Sequence, residues 1–355
     1  MAVKDFLKFI AKRVITLFFV ILITAYATIS IANYGGAMDR IIIDQVVIGL
    51  HTSLVQNPYL QHLNSTERWA MVEEMLPGIL HNIHLDTPFY IRSVVYLKNA
   101  LTLQLGESQY IKSDLKRSRD VQVIIWEKIP FTLALFTTAT IINFVVSLAV
   151  GLYLSRHYNS LIDKILKYLS PFSTIPSWIF GVYLIVIFSL NLHWFPSSGI
   201  LSSPAPQEET ARLLNMAWHM ILPLTAWLLS TVFMSIIQNR AFFLIYSTED
   251  YVEVARAKGV PPGKLEWSYI LQPALPPIIT SFALSAIGSW NGSIMLETLF
   301  HWRGLGYLSY QAIFSHDTPV IIGVVIVYAY MLAFTVLLLD VMYGLMDPRI
   351  KLENY

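Results

Sequence analysis

Charged residues are scarce in this sequence. They make up 13% of its 355 residues, whereas hydrophobic residues make up 55%. Soluble domains are usually about one quarter charged, so a deficit of this size indicates that much of the surface faces lipid rather than water. The formal net charge is only +1. Because there is no basic excess to displace counterions from phosphates, the composition argues against a nucleic-acid partner.

Cysteine is absent altogether, which excludes disulfides, thiol catalysis and metal sites with cysteine ligands. Histidine is present, and His193, His301 and His316 fall in loops that we expect on one side of the membrane. None of them belongs to a closely spaced histidine pair of the kind that favours metal ligation. We therefore expect no metal site and no cofactor, and capture of nickel is a less favoured alternative.

A nucleotide site is also missing. The run from Gly259 to Leu265 resembles a phosphate-binding loop, but it is one residue short between its glycines. Leu265 stands where such a loop needs a serine or threonine to hold Mg²⁺. We therefore expect that this loop does not bind ATP.

Long apolar runs, in contrast, are abundant. A helix needs about 20 mostly apolar residues to cross roughly 30 Å of hydrocarbon. The segments that meet this requirement, all without Asp, Glu, Lys or Arg, are residues 14–32, 129–155, 168–192, 213–237, 274–296 and 318–339. The sequence thus predicts an all-α polytopic membrane protein with six transmembrane helices. Proton- or sodium-coupled carriers usually need ionisable groups within the membrane, so a secondary transporter is disfavoured.

Lysine and arginine indicate the orientation. They concentrate in four short segments, namely residues 4–13, 156–167, 240–264 and 349–351. The two short loops on the other side carry only Arg212 and Arg303. By the positive-inside rule, both termini are therefore expected to be cytoplasmic.

This orientation divides the chain into four parts. We predict a cytoplasmic arm with the first transmembrane helix (1–32), an external domain (33–128), a five-helix core (129–347) that includes a cytoplasmic loop (240–272), and a cytoplasmic tail (348–355). In the external domain, Thr66 is expected to begin a helix that stops at Pro77. Residues 91–105 form either an amphipathic helix at the membrane interface or part of a small folded cap.

The cytoplasmic loop at residues 240–272 is patterned. Residues 247–250 offer a helix start with acidic residues in the first turn, where the helix dipole favours negative charge. One face of the helix that follows is expected to hold Tyr251, Val254, Ala255 and Lys258. Gly259 can end this helix in the left-handed conformation, and Pro261 and Pro262 then force a turn. Residues 248–263, which we call the knob, have the shape of a helix–turn that fits a partner's groove. An ordinary connector between two spans is the alternative.

Part of the knob resembles a known family. Residues 250–259 read DYVEVARAKG, which is similar to the signature loop of the permeases of binding-protein-dependent ABC importers. That signature is Glu-Ala-Ala, three residues, Gly, and then an apolar stretch that closes on Leu-Pro. Glu253, Ala255 and Gly259 match at the right spacing, whereas Val254 replaces the first alanine and the closing Leu275-Pro276 is displaced. This form of the motif is typical of the dipeptide and oligopeptide branch.

Further segments resemble the same branch. They are residues 296–306 (LETLFHWRGLG), 316–320 (HDTPV), 347–350 (DPRI), and 175–178 (IPSW) together with 194–199 (WFPSSG). Their order and spacing hold from about Pro88 to Tyr355. The long insert after the first span is typical of the first of two permease subunits.

The resemblance implies a type I ABC importer permease fold, a homologous second permease, two ABC ATPases and an external solute-binding protein. It implies ATPase coupling through Tyr251, Glu253, Ala255, Arg256, Ala257, Lys258 and Gly259. It also implies an external gate or a receptor-docking edge at Glu297, Trp302, Arg303, Gly304 and Gly306. Short peptides are the expected cargo, and oligosaccharides are the alternative.

A membrane enzyme is the alternative from a different class of function. An intramembrane serine protease would need a histidine base and a serine nucleophile. The candidates are His219 for the base and Ser173, Ser177, Ser285 or Ser289 for the nucleophile. Such an enzyme needs a serine within reach of its base and oxyanion donors nearby. Because no small-residue elbow surrounds any of these serines, the enzyme is disfavoured. A passive channel would leave the knob without a purpose.

Overall fold

The computed structural model describes residues 3–33, 36–60, 63–82, 85, 87–290 and 292–346. The chain divides into two compact units, which are Met1–Glu127 with Gln311–Tyr355, and Lys128–Tyr310. The predicted tail at 348–355 and the DPRI segment at 347–350 lie outside the described residues.

In the first unit, the long helices from the two ends of the chain pack together. Its helices are α1 (Val3–Ala32), α2 (Ala37–Gln56), a 3₁₀ turn at Pro58–Leu60, α3 (Ser65–Asn82), α4 (Phe89–Leu101), the start of α5 (Val121–Arg156), the end of α14 (Leu305–Phe314) and α15 (Thr318–Met346). Ala25 and Ile29 of α1 meet Ala100 of α4 and Ile326 of α15 in one buried cluster. Arg13 and Asp340 form an ion pair, which links α1 to α15.

An ion pair also fixes α4 to α2. Arg92 is only 6% exposed, and its Nη1 and Nη2 donate to Oδ1 and Oδ2 of Asp39 at 2.6 and 2.8 Å. Such a two-point contact constrains orientation as well as distance. On its other side α4 exposes Tyr90, Val94 and Val95, a pattern typical of a helix in the membrane interface. The helix ends at Leu101, so it covers most of residues 91–105, and the choice between an interfacial helix and a folded cap stays open.

The predicted limits of α3 are wrong at both ends. Asn64, not Thr66, caps the helix, because its Oδ1 accepts from the N–H of Glu67 at 2.9 Å while Glu67 Oε2 accepts from the N–H of Asn64 at 2.8 Å. This reciprocal pair is a capping box. The helix also runs through Pro77 to Asn82, although a proline inside a helix removes one hydrogen bond and crowds the carbonyl group four residues earlier.

The second unit contains the rest of α5 and most of the remaining helices. They are α6 (Leu161–Leu169) with a 3₁₀ turn at Ser170–Thr174, α7 (Ser177–Leu184) with a π-helical end at Ile185–Asn191, α8 (Glu209–Leu229), α9 (Val232–Ser247), α10 (Asp250–Ala257), α11 (Pro262–Lys264) with a π-helical segment at Leu265–Leu271, α12 (Gln272–Ser289), α13 (Ile294–Leu299) and the start of α14.

Several helices of the two units are long and apolar enough to cross a membrane. Among the described residues they are Lys8–Ala32, Val121–Arg156 and Thr318–Val341, or up to five spans if two bent pairs each count as one. The bent pairs are Leu161–Thr174 with Ser177–Asn191, at 101°, and Glu209–Leu229 with Val232–Ser247, at 50°. These helices account for five of the six predicted segments.

The remaining segment, residues 274–296, is divided between α12 and α13. Gly292 adopts a φ of +67°, and the Ser293 side chain accepts from the N–H of Leu296 to begin α13. The continuous helix expected here therefore ends at Ser289.

The segment at 168–192 also differs from its prediction, because the chain bends before Pro176. Tyr168 consequently belongs to the first arm of the bent pair. In that arm α6 exposes Leu161, Ile162 and Ile165 while Asp163 is fully buried. An apolar side that faces outward from the protein is typical of a helix lying in the membrane interface.

Candidate functional site

The knob begins and ends as its sequence predicts. Asp250 and Glu253 lie in the first turn of α10, at the positive end of the helix dipole. Gly259 has a φ of +75°. The N–H of Gly259 donates to Arg256 O at 3.0 Å, and the N–H of Val260 donates to Ala255 O at 3.2 Å. These two bonds form a Schellman motif, so the left-handed conformation expected for Gly259 is confirmed.

The two faces of α10 have different environments. Val252 and Ala255 are buried, and they pack with Phe243, Leu265 and Ile270 in one apolar cluster. Burial on this scale anchors a short helix that would be unstable alone. The expectation that Ala255 shares one face with Tyr251, Val254 and Lys258 is therefore wrong, since Ala255 points into the chain's own core.

The other predicted coupling residues lie on the outer side of α10. Tyr251 and Val254 are 40% and 53% exposed. The remaining exposed members of the predicted set are Glu253, Arg256, Ala257, Lys258 and Gly259. Partial burial, followed by the charge of Glu249, raises the pKa of the Tyr251 hydroxyl. A neutral tyrosine hydroxyl can donate a hydrogen bond. This side presents apolar surface ringed by charge, as docking surfaces often do.

Two ion pairs hold the structure from which the knob extends, and sequence reasoning did not find either. Arg156, at the end of α5, pairs with Glu266 just after the knob. Arg240 of α9 donates from Nη2 to Asp163 Oδ2 at 3.0 Å, and Lys167 Nζ lies 2.9 Å from the same oxygen. The Asp163 carboxylate is fully buried, so its ionic partners are what make its burial tolerable.

Tyr158 adds to the second pair. Lys167 Nζ and Arg240 Cζ each lie 5.1 Å from the centre of its ring, within the range of a cation–π contact. Arg240 lies just beyond the predicted span at 213–237, after Gln238 and Asn239, and Asp163 lies between two predicted spans. On sequence grounds alone, each is therefore expected to face water. Their separation of 77 positions left no local signal of the pairing.

The second predicted set, at residues 297–306, forms what we call the outer loop, and its structure is different. Glu297 is fully buried. Its Oε1 accepts from the Thr132 hydroxyl at 3.1 Å, and its Oε2 accepts from the N–H of Tyr307 at 3.1 Å. Thr132 Oγ1 in turn accepts from the N–H of Leu305 at 2.7 Å. The carboxyl group is thus closed off from solvent and held by hydrogen-bond donors.

Two glycines make room for this carboxyl group. A Cβ at Gly304 would lie 2.2 Å from Thr132 Oγ1 and 2.5 Å from Glu297 Oε2. A Cβ at Gly306 would lie 2.9 Å from the backbone of Ser293 and 3.0 Å from the Glu297 carboxyl group. Real Cβ atoms do not approach so closely, so both positions require glycine for space.

Trp302 is also inside the protein. It is fully buried, and its Nε1 donates to Phe131 O at 2.8 Å. Glu297, Trp302, Gly304 and Gly306 are therefore buried as a group in this chain. The gate or docking role predicted for them stays a prediction. Among the predicted gate residues, Arg303 is the one that is exposed.

His219 contacts none of the four serines named above as candidate nucleophiles, and its hydrogen-bond partners lie in the loop before α8. Its Nδ1 donates to Gly199 O at 3.0 Å, and its Nε2 lies 3.1 Å from the hydroxyl of Ser202. The ring is 6% exposed. His219 therefore ties the loop before α8 to that helix.

Comparison with known proteins identifies the family. Residues 146–352 match the family described as "Binding-protein-dependent transport system inner membrane component". The chain belongs to this family. It is therefore a membrane component of a transport system, and not a catalytic enzyme. The all-α polytopic fold, of the type I importer permease class, is confirmed.

Curated relatives cover most of the chain. It is 30% identical over 270 residues to the oligopeptide transport system permease protein AppB of Bacillus subtilis, covering 75% of this chain and 82% of the relative. It is 31% identical over 272 residues to the dipeptide transport system permease protein DppB of the same organism, with coverage of 76% and 82%. The peptidoglycan transport system permease protein YejB of Agrobacterium fabrum is 27% identical over 291 residues, with coverage of 79% and 77%.

A solved structure is also similar. A chain of the MetNI methionine ABC transporter in an inward-facing conformation gives a TM-score of 0.46 at 19% identity, covering 61% of this chain and 93% of that one. The resemblance read from the knob and from the outer loop is confirmed at the level of the family by the curated relatives.

Proposed function

We propose that this chain is a permease subunit of an ATP-driven importer of short peptides. It pairs with a homologous second permease to form the path, and its knob seats in a cleft of an ABC ATPase. The observation that carries the proposal is α10 itself, which buries Val252 and Ala255 in its own subunit while it exposes Tyr251, Glu253 and Val254.

A knob transmits movement only if it is rigid. The Schellman motif at Gly259 fixes its turn, the cluster around Phe243 fixes its inner face, and the Arg156–Glu266 pair fixes the chain after it. These contacts support a lever that moves with α5 and α9 when a partner moves. Packed elements of this kind shift between discrete arrangements and do not bend continuously.

The orientation of the chain is part of the proposal. With both termini in the cytoplasm, the knob faces the ATPases and residues 33–128 face the solute-binding protein. The distribution of lysine and arginine supports this orientation. The exposed Arg303 then lies on the receptor side, where a charged rim residue affects the rate of encounter more than affinity.

The cargo is inferred from the relatives. Two of them carry oligopeptide or dipeptide in their names, and one carries peptidoglycan, which contains both sugar and peptide. Short peptides are the chemistry these names share. Uptake of labelled peptides and of labelled oligosaccharides by the complete assembly in proteoliposomes decides between the two classes.

Charge reversal in the knob tests the coupling. In the complete assembly, Glu253→Lys is expected to abolish most peptide uptake while the ATPases still hydrolyse ATP. Glu209→Lys is a matched control, because Glu209 also lies in the first turn of an exposed helix start and loses the same dipole interaction. Equal uptake by the Glu253→Lys variant and the control would contradict the coupling role of the knob.

A further inference from the structure

A polar cavity of about 60 Å³ lies in the second unit between α5, α9 and α12. Its lining includes Asn143, Gln238, Asn239, Ser281 and Ser285, together with the ring of Phe282. None of the described residues that line it carries a charge. Nothing in the coupling role of the knob uses these side chains.

Two hydrogen bonds one helical turn apart join α5 to α9 beside the cavity. Asn143 Nδ2 donates to Ser235 Oγ at 3.0 Å, and Asn239 Nδ2 donates to Ser147 Oγ at 3.0 Å. Gly151 continues this crossing, since a Cβ there would lie 2.9 Å from the Cβ of Asn239. The two helices are therefore held at close approach, and the amide groups are fixed relative to both.

The direction of these bonds determines what the cavity offers. Ser235 Oγ donates its own hydrogen to Thr231 O at 3.0 Å, so it can only accept from Asn143. The amide of Asn143 must therefore turn its NH₂ group toward Ser235. Its Oδ1 is left buried and, within the part of the chain that the structure describes, without a donor.

The hydroxyl groups of α12 are arranged in the same way. Ser281 Oγ donates to Pro277 O at 3.0 Å, and Ser285 Oγ donates to Ser281 O at 2.9 Å. Each hydroxyl hydrogen is used inside the helix, so the oxygen lone pairs are what remain free. These hydroxyl oxygens and Asn143 Oδ1 therefore present acceptors, which N–H or O–H groups of a ligand can meet, and the amide of Gln238 adds donors to the same lining.

Position argues that this surface meets water or cargo rather than lipid. Gln238, Ser281 and Ser285 are exposed in this subunit although their helices are otherwise apolar. Polar groups at membrane depth are tolerated where they line a water-filled cavity or are buried in protein, because hydrocarbon cannot satisfy them.

We propose that this cavity is a cargo-contacting part of the translocation path and that it accepts hydrogen bonds from the main-chain N–H groups of a peptide. The inference rests on the proposed function and adds the residues that cargo meets. A peptide carries one such donor at nearly every residue, whatever its side chains. An uncharged polar lining that includes these acceptors therefore holds successive peptide units without selecting for sequence. It releases them because no charge in the lining binds them tightly.

The absence of cysteine makes the test direct, because a single introduced thiol is the only one in the chain. The probe is a membrane-impermeant thiol reagent, applied to the complete assembly in proteoliposomes with and without ATP. Ser281→Cys is compared with Leu284→Cys, a control on the same helix where the native leucine is 60% exposed and is expected to face lipid. Uptake of peptide by each variant before labelling confirms that it is assembled.

We expect Ser281→Cys to react roughly tenfold faster than Leu284→Cys in at least one nucleotide state, because apolar surroundings raise a thiol pKa and one unit lowers the thiolate tenfold. Peptide cargo delivered by the solute-binding protein is expected to slow this reaction. Oligosaccharide is expected not to slow it, because the proposed solute-binding protein delivers peptide, although sugar hydroxyl groups could donate to the same acceptors. Adding Asn143→Leu removes one acceptor and is expected to weaken the protection by peptide about fivefold.

Three results would overturn the inference. The first is an equal labelling rate at residues 281 and 284, which would indicate a packed or lipid-facing surface. The second is a labelling rate at residue 281 that peptide does not slow. The third is protection of residue 281 by oligosaccharide instead of peptide. If the unmodified assembly takes up no peptide, the proposed function fails whatever the labelling shows. If peptide is taken up but Ser281→Cys is unprotected, only the cavity assignment fails.

Discussion

The knob and the outer loop both contain glycines that belong to family motifs, yet the glycines serve opposite physical purposes. Gly259 adopts a φ of +75°, and among the described residues no atom lies within 4 Å of where its Cβ would be. Gly304 has no positive φ, but a Cβ there would lie 2.2 Å from Thr132 Oγ1. One glycine supplies a backbone conformation, and the other supplies space.

The side chains around them follow the same division. The knob turns most of its motif outward, where Tyr251 and Glu253 are exposed, and buries only the positions that anchor it. The outer loop turns Glu297 and Trp302 inward, and both are fully buried. A motif on a surface and a motif in a core look alike in a sequence. Substitutions therefore distinguish residues that contact a partner from residues that stabilise the chain's own fold.

The largest effect on stability is expected at the outer loop. Gly304→Ala places a methyl group against Thr132 and Glu297, and we expect it to reduce the free energy of unfolding by roughly 3 kcal/mol, as overpacked cores do. Thermal unfolding of the detergent-purified chain measures this. Gly263→Ala is the control, since nothing described lies within 4 Å of its Cβ position. Equal melting temperatures for the two variants would show that the carboxyl group is not enclosed in this way.

A smaller loss is expected when the carboxyl group is changed without changing its size. Glu297→Gln replaces one acceptor oxygen by an NH₂ group, so one of the donors from Thr132 or Tyr307 loses its partner. A buried donor left without a partner costs about 2 kcal/mol. The same melting experiment measures it, and Glu209→Gln, at an exposed helix start, is the control. A gate role for Glu297 would instead leave stability unchanged and alter uptake alone.

What the sequence predicts well is local. The left-handed Gly259 and the acidic first turn of α10 follow from neighbouring residues, and the structure has both. The bonds of Glu297 to Thr132 and of Arg240 to Asp163 join positions 165 and 77 apart. No pattern within a helix can reveal such partners, because they depend on which helices become neighbours.

Helix breaks show the same limit. Pro223 lies inside α8 without ending it, whereas the chain bends by 101° next to Pro176 and by 50° after Leu229, where there is no proline. Membrane helices tolerate proline when neighbours satisfy the freed carbonyl groups. Five of the six apolar segments could therefore be predicted, but their bends and the break inside residues 274–296 could not.

Substitutions of Gly259 are expected to have an intermediate effect on stability. They test whether this position requires glycine for its backbone conformation or for lack of space. Gly259→Val is expected to cost about 1–2 kcal/mol, because a β-branched residue resists the left-handed conformation. Gly259→Asn, which tolerates that conformation, is expected to be nearly neutral. Peptide uptake per ATP hydrolysed is expected to fall in the valine variant and to be retained in the asparagine variant. Loss in both would indicate that the surface at Gly259 matters more than its backbone.

The smallest effect on stability is expected at the Arg156–Glu266 pair, which anchors the knob from outside. Arg156 is 39% exposed and Glu266 is 19% exposed, so the pair is worth only about 0.5–1 kcal/mol. Arg156→Glu and Glu266→Arg are each expected to lower peptide uptake per ATP hydrolysed. The same two variants are expected to change the melting temperature only slightly. The double variant restores opposite charges, and its uptake is expected to recover. If the double variant remains as uncoupled as the single ones, the pair does not hold the knob in place. The knob would then depend on the buried cluster around Phe243 alone, and truncation of Val252 to alanine would become the variant that uncouples it.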